Sequence, residues 1–220
     1  MKGPELQEPA YVLHRRPWRE TSLMVDLFAL NHGRMTVIAR GANSAKSPLK
    51  AQLQPFQPLV VDWAGRGDLK TLTQVDVRTG PTITRTVSLY SGLSLNELLQ
   101  RVLPAADPHP TLFAAYIDAI GQLSDTTDVE PVLRRFELAF AAALGYDFAW
   151  DLATDTGQSV EPDREYCYDP EQGIVSGLSA GVRLRHLPGE VLLDLARDDL
   201  QSDRCRRLAK RVMRVLIDYL

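Results

Sequence analysis

Over the first 80 residues the apolar positions fall in short runs of strand length. Ala10-Tyr11-Val12-Leu13-His14 is one run, and residues 21–30 (TSLMVDLFAL) form another. Asn31-His32-Gly33 supplies turn chemistry, and Met35-Thr36-Val37-Ile38-Ala39 resumes the strand pattern, which predicts a hairpin. Residues 56–63 (FQPLVVDW) and 69–77 (LKTLTQVDV) predict two more strands, with Arg66-Gly67-Asp68 read as the turn between them. Strict alternation places Leu69, Thr71, Thr73, Val75 and Val77 on one face. About five short strands fit a small closed barrel, which removes exposed edges.

Near residue 86 the period changes from two to that of a helix. Leu89, Leu93, Leu95, Leu98, Leu99, Val102 and Leu103 predict a helix that stops before Pro104. A second follows the Pro108-His109-Pro110 break, with Leu112, Phe113, Tyr116, Ile117, Ile120 and Leu123. A third carries Val132, Leu133, Phe136, Leu138, Phe140 and Leu144 and closes at Gly145. Residues 151–181 are polar and irregular, with a short hairpin expected around Tyr166-Cys167-Tyr168 and Gly173-Ile174-Val175. Leu192, Leu193 and Leu195 predict a short helix, and residues 204–220 a final one, apolar on one face and basic on the other. The pattern divides the chain into a β domain, 1–80, and a helical domain, 81–220.

Composition narrows the class. The 220 residues are 45% hydrophobic and 24% charged, an ordinary globular balance. No apolar run approaches the roughly 18 residues of a membrane helix. The opening Met1-Lys2-Gly3-Pro4-Glu5 leads into no apolar segment, so no secretory signal is expected. Cys167 and Cys205 are too few for a four-cysteine metal site and read as reduced thiols of a cytoplasmic protein. The net charge of −3 conceals a split. Residues 1–80 carry 11 Lys+Arg against 7 Asp+Glu, residues 81–200 carry 8 against 19, and residues 201–220 carry 6 against 2. Two basic ends flank an acidic middle, which points to surfaces with different partners, one of them a polyanion.

Catalytic motifs fail on context. Gly177-Leu178-Ser179-Ala180-Gly181 fits G-x-S-x-G, but only His186 follows, with no acid between. Gly41-Ala42-Asn43-Ser44-Ala45-Lys46-Ser47 lacks the glycine a P-loop needs before its lysine, and Pro48 interrupts any following helix. His14, His32, His109 and His186 are scattered without metal-ligand spacing. The carboxylates between 118 and 171 are unpatterned and read as a solvated surface. What remains is recognition chemistry. His14-Arg15-Arg16-Pro17-Trp18-Arg19 sets three arginines beside an indole, and Arg34, Arg40, Lys46 and Lys50 follow. Barrels bind single strands by pairing a basic groove with aromatic faces, although a basic loop and a core tryptophan would read the same way.

These residues also carry a resemblance. The segment Ala10-Tyr11-Val12-Leu13-His14-Arg15-Arg16-Pro17-Trp18, with Glu20-Thr21-Ser22-Leu23, resembles the opening of the bacterial RecO recombination mediators. So do Gly33-Arg34, Ala39-Arg40-Gly41-Ala42, Lys46-Ser47, Leu53-Gln54-Pro55-Phe56, and Gly65-Arg66-Gly67 before Leu69-Lys70-Thr71-Leu72. The second half adds Leu89-Tyr90-Ser91-Gly92-Leu93, Asn96-Glu97-Leu98-Leu99, Leu133-Arg134-Arg135-Phe136-Glu137-Leu138 and Leu144-Gly145-Tyr146, all in family order.

The resemblance implies an α+β protein: a five-stranded OB-fold barrel, then an α-helical C-terminal domain with an irregular insertion. It implies a DNA repair protein of the bacterial nucleoid with no catalytic centre and no cofactor. Such proteins bind single- and double-stranded DNA, anneal strands, act with RecR, and bind the acidic, hydrophobic tail of the single-stranded-DNA-binding protein SSB. By this resemblance Arg34, Arg40, Lys46 and Lys50 contact DNA, with Arg15, Arg16 and Lys70 as further candidates. Arg134 is the expected ion-pair partner of the SSB tail, with Leu133 or Leu123 seating its aromatic end. The alternative for Arg134 is a local pair with Glu130 or Glu137. Some relatives hold zinc in the irregular region; here the corresponding positions read Ala153, Thr156, Ser176 and Ser179, so no zinc is expected. The final basic helix is a further expected DNA contact. The rival reading is a non-catalytic adaptor for the SSB tail with a purely structural barrel. A metal-dependent nuclease is the distant third.

Overall fold

The structure is a computed structural model that describes residues 5–65, 67 and 69–220. Arg66 and Asp68, and with them the expected Arg66-Gly67-Asp68 turn, lie outside the described residues. Five strands close into a barrel in the order β1-β2-β3-β5-β4. They are β1 (Glu5–Trp18), β2 (Ser22–Ala29), β3 (Gly33–Ala39), β4 (Leu59–Ala64) and β5 (Leu69–Val77), and β3 meets β5 in parallel. This is the OB-type barrel expected, and the chain is α+β. A single turn of helix, α1 (Leu49–Gln52), lies between β3 and β4.

The barrel interior follows the two-residue period. Ala10, Val12, Leu23, Val25, Leu27, Met35, Val37, Leu59, Val61 and Trp63 fill it. On β2 the alternation vanishes because both faces are covered: Met24, Asp26 and Phe28 point away from the interior yet are buried too. The cover includes α2 (Thr86–Val102) and α3 (Pro110–Asp125). Tyr11 and Phe28 stack against Phe113 and Tyr116 with ring centroids 5.1–6.0 Å apart. Asn96 donates to Val12 O (3.3 Å) and Leu13 O (3.1 Å) and accepts from Tyr116 Oη (2.7 Å). Gln100 donates to Asp26 (2.8 Å).

Two sequence expectations are corrected. Alternation does not run through β5: the ladder to β4 shifts register between Asp62 and Trp63, so that Leu72 and Val75 pack on the interior while Leu69 and Val77 are exposed. One extra residue in a strand re-aims everything beyond it. On α2 the buried face is Ser88, Ser91, Gly92, Leu95, Asn96 and Leu99, while Leu89 and Leu93 face outward. The small residues face inward because the helix lies close to its neighbours: a Cβ on Gly92 would sit 2.8 Å from the Phe56 ring.

The compact units are Met1–Val129 and Glu130–Leu220. The sequence pattern divides the chain at 80/81, where strand gives way to helix. The packing boundary lies later, since α2 and α3 join the barrel in the first unit. The second unit comprises α4 (Glu130–Ala143), the hairpin β6 (Leu152–Ala153) and β7 (Gln158–Ser159), and the three-stranded sheet β10-β8-β9. Its strands are β8 (Glu165–Asp169), β9 (Gly173–Val175) and β10 (Leu184–Pro188), followed by α5 (Gly189–Ala196) and α6 (Asp203–Tyr219). Cys205, Leu208, Ala209, Val212, Met213 and Leu216 of α6 repeat at helical spacing and enter one core with Tyr168, Ile174, Leu187, Leu192 and Leu195. Each of the leucine, isoleucine, valine and methionine side chains contributes about 1.5–3 kcal/mol of burial. Cys167 and Cys205 are both buried and reduced. No described helix is long and apolar enough to cross a membrane.

Candidate functional site

The basic residues of the barrel divide between its two ends. Arg16 sits opposite Met24, and Met24 opposite Ile38, so the three form one row across β1, β2 and β3. Trp18 pairs with Ser22 and Leu23 with Ala39, which brings the β1–β2 turn beside the end of β3, where Arg40 emerges. The Asn43 amide donates to Thr21 O (2.8 Å), tying the 40–47 turn to the same place. That turn uses Gly41 at φ +69, a conformation that suits glycine. Arg15 then fastens the next segment: its guanidinium donates to Lys50 O (2.5 Å), Leu53 O (2.9 Å) and Gln54 Oε1 (3.0 Å). One end of the barrel therefore gathers Arg16, Trp18, Arg40, Lys46 and Lys50.

These side chains differ in what they have left to give. Arg40 and Lys46 are exposed, and no hydrogen bond or ion pair among the described residues engages them. Lys50 reaches Asn43 only at 3.4 Å. Arg16 lies over the Met24 sulfur at 3.0 Å, and Trp18 is half-buried. Arg15 is committed to backbone carbonyls, so its role is to hold the loop. Arg34 lies at the far end of β3, roughly 20 Å along the strand from Arg40. Its Nε donates to Leu103 O (2.8 Å), capping the C-terminal end of α2, where a cation is favoured. Lys70 stands over the Trp63 ring, 5.2 Å from its centroid, a cation–π pair on the parallel β3–β5 seam.

The second unit holds a cleft of about 220 Å³ lined by Arg134, Glu137, Lys210, Arg214, Ile217 and Asp218. Arg134 on α4 is 7% exposed and donates to Glu137 Oε1 at 2.8 Å, one helical turn on. The Arg134 Nε and Glu137 Oε2 atoms are buried without a hydrogen-bond partner among the described residues. Burial pushes the Glu137 carboxyl up to about 7, against the opposing pull of Arg134 and Lys210. The local pair with Glu137, weighed as an alternative from the sequence, is thus present. Leu133 is half-buried and does not line the cleft; Leu123 is fully buried in the first unit. The apolar wall is Ile217 instead. Sequence reasoning missed Lys210, Arg214, Ile217 and Asp218, although 210, 214 and 218 recur at four-residue spacing on one helix face. That spacing marks a stripe but not the helix lying opposite it.

The irregular region is tied by a carboxylate. Asp155 accepts from Ser176 N (2.9 Å), Ser176 Oγ (2.8 Å) and Gly177 N (3.2 Å). Ser179 donates to Asp169 at 3.4 Å and stands in a loop, not on a strand-to-helix turn. Asp194, Asp199 and Cys205 bring ligand-type atoms within 4.8 Å, but burial raises the Cys205 thiol, which favours the protonated, weakly ligating form.

Comparison with known proteins agrees with this architecture. Residues 1–80 match the family model described as Recombination protein O N terminal, and residues 85–195 match Recombination protein O C terminal. A DNA repair protein RecO from Marinobacter nauticus is 66% identical, the alignment covering 100% of this chain and 91% of that protein. One from Aromatoleum aromaticum is 41% identical over 97% of this chain and 89% of its own length. One from Azoarcus sp. is 39% identical, again over 97% and 89%. With barrel, helices and order of elements in agreement, the chain belongs to the RecO family of DNA repair proteins.

Proposed function

We propose that this protein is a non-catalytic recombination mediator. It binds single- and double-stranded DNA at the Arg40 end of the barrel, anneals complementary strands, and with RecR helps load recombinase onto SSB-coated DNA. The observation that carries the reading is the pair Arg40 and Lys46, exposed beside Trp18 with their charges unspent. Cations there would neutralise phosphates and let two strands approach, while the half-buried Trp18 indole offers an aromatic surface for base stacking. The α4–α6 cleft supports the second half of the reading. Arg134, Lys210 and Arg214 face one apolar residue, Ile217, a combination suited to an acidic, hydrophobic peptide such as the SSB tail.

Fluorescence anisotropy of a labelled single strand across a salt series tests the DNA half. The Arg40→Ala/Lys46→Ala variant is expected to weaken binding and to lower the salt slope by about 1.4, roughly 0.7 for each lost phosphate contact on a single strand. An unchanged slope would move the interface elsewhere and leave the adaptor reading, with a structural barrel, as the better one.

A further inference from the structure

The cationic cleft between α4 and α6 contains its own anion. Glu137 lies between Arg134, one turn back on α4, and the α6 side chains Lys210, Arg214 and Asp218. Its side chain is 15% exposed, and one oxygen is spent on Arg134. The other, Oε2, is buried and unpartnered among the described residues, as is the Arg134 Nε. An incoming carboxylate would seek the same guanidinium and would meet a charge of its own sign a few ångströms away. Two carboxylates competing for one guanidinium in a half-dry site repel each other, and the repulsion is relieved when one is neutral.

We propose that Glu137 is a built-in competitor for Arg134, and that an acidic peptide enters this cleft by placing a solvent-derived proton on Glu137. This rests on the tail-binding reading of the cleft and adds its regulation. The proton goes to the buried Oε2, which turns an acceptor without a partner into an O–H donor. The neutral carboxyl then donates to a peptide carboxylate, and the Arg134 fork is released to pair with the ligand. Free Glu137 already lies near the threshold, because burial outweighs the two facing cations and holds its carboxyl at about 7. An anionic ligand raises it further. The sign follows from linkage: the complex binds more protons than the free protein, so affinity is flat only well below pH 7 and falls as pH rises through the free value of about 7. The peptide's own carboxylates are ionised throughout this range and add no slope.

The test is a pH series, 6.0 to 8.5, of anisotropy with a fluorescein-labelled SSB-tail peptide and the full chain. The wild type is expected to lose about sevenfold in affinity between pH 6.0 and 8.5, most of the roughly tenfold that a one-unit upward shift on binding gives over the full titration. Glu137→Gln mimics the protonated form. It should bind several-fold more tightly at pH 8.5 and show a flat profile. A Glu137→Gln variant that keeps the wild-type slope and affinity overturns the competitor role. Arg134→Ala separates the two layers: if it leaves peptide affinity unchanged, the cleft is not the tail site at all. If Arg134→Ala weakens binding while Glu137→Gln changes nothing, only the proton gate fails. Calorimetry of the wild type at pH 8 in two buffers of different ionisation enthalpy checks the same point without a variant. Net proton uptake on peptide binding supports the proposal, and zero uptake overturns it.

Discussion

Asn96 is a polar residue inside an apolar interface, and its position is explained by what its amide does. The side-chain N–H groups serve two carbonyls of β1, where the ladder to β2 shifts register between Val12 and His14. A bulge frees backbone groups that a regular strand would pair, and a buried carbonyl without a donor is costly. The amide oxygen in turn accepts the buried Tyr116 hydroxyl. Asn96→Ala removes three buried hydrogen bonds at once and should cost about 2–4 kcal/mol, lowering the midpoint of thermal unfolding by roughly 2–4 °C per kcal/mol. A loss below about 0.5 kcal/mol in urea titration would mean that water replaces the amide, and the network would not be what docks α2. Nothing in the leucine periodicity of 89–103 singles out Asn96. Gly33 was legible only in part. Its turn role could be read from Asn31-His32-Gly33, but not the backbone of Asp107, 2.0 Å from where a Cβ would stand. Arg34 is similar: its charge was visible, its commitment to the end of α2 was not.

Strands and helices were legible wherever one face met one environment. The runs at 35–39 and 204–220 each bury a single face, and the period shows it. Where both faces are covered, as on β2, only the length of the apolar run remained as a signal. The register shift on β5 left no mark at all, because Thr73 is as acceptable on either face. The irregular region shows the same limit. Its positions Ala153, Thr156, Ser176 and Ser179 offer no thiolate, yet the β6–β7 turn and the segment after β9 are still fastened, by Asp155. Slight burial pushes the Asp155 carboxyl up, but the hydrogen bonds from Ser176 and Gly177 outweigh it and hold the group below its usual 3.8. A carboxyl depressed in the folded state contributes its stability above its unfolded value and loses it as pH falls through the folded one. The clasp should therefore be intact at neutral pH and open only below about 3.8. Because Asp155 is exposed, the effect belongs to the loop and not to global stability. Hydrogen exchange, corrected for intrinsic rates, should show the Ser176 and Gly177 amides protected at pH 6 and deprotected in Asp155→Ala. Equal protection in the variant would assign the ordering of this loop to other contacts.

At the scale of the whole chain the charge split is the feature that composition alone would have hidden. Each compact unit carries a basic patch: Arg40 and Lys46 at one end of the barrel, and Arg207, Lys210, Arg211 and Arg214 along the solvent side of α6. On α6 the division of labour is clear. Arg204 pairs with Glu190 and Arg206 caps Leu200 O at 2.6 Å, whereas Arg207 and Arg211 are exposed with no hydrogen bond or ion pair among the described residues. Lys210 and Arg214 line the cleft, so a change there would alter peptide and DNA binding together. Arg207→Ala/Arg211→Ala is the cleaner probe. If the final helix contributes DNA contacts, this variant should lower the salt slope for single-strand binding by about 1.4, as two lost phosphate contacts require. It should leave the affinity for the tail peptide unchanged, since neither residue lines the cleft. Combined with the barrel substitutions, the two reductions in slope should add, because each counts phosphates neutralised by a separate patch. A slope that stays at the wild-type value would make the α6 stripe a solvated face that keeps an amphipathic helix soluble, with the barrel end alone responsible for DNA. A smaller loss in the combined variant than in the sum would mean that the patches compete for the same phosphates.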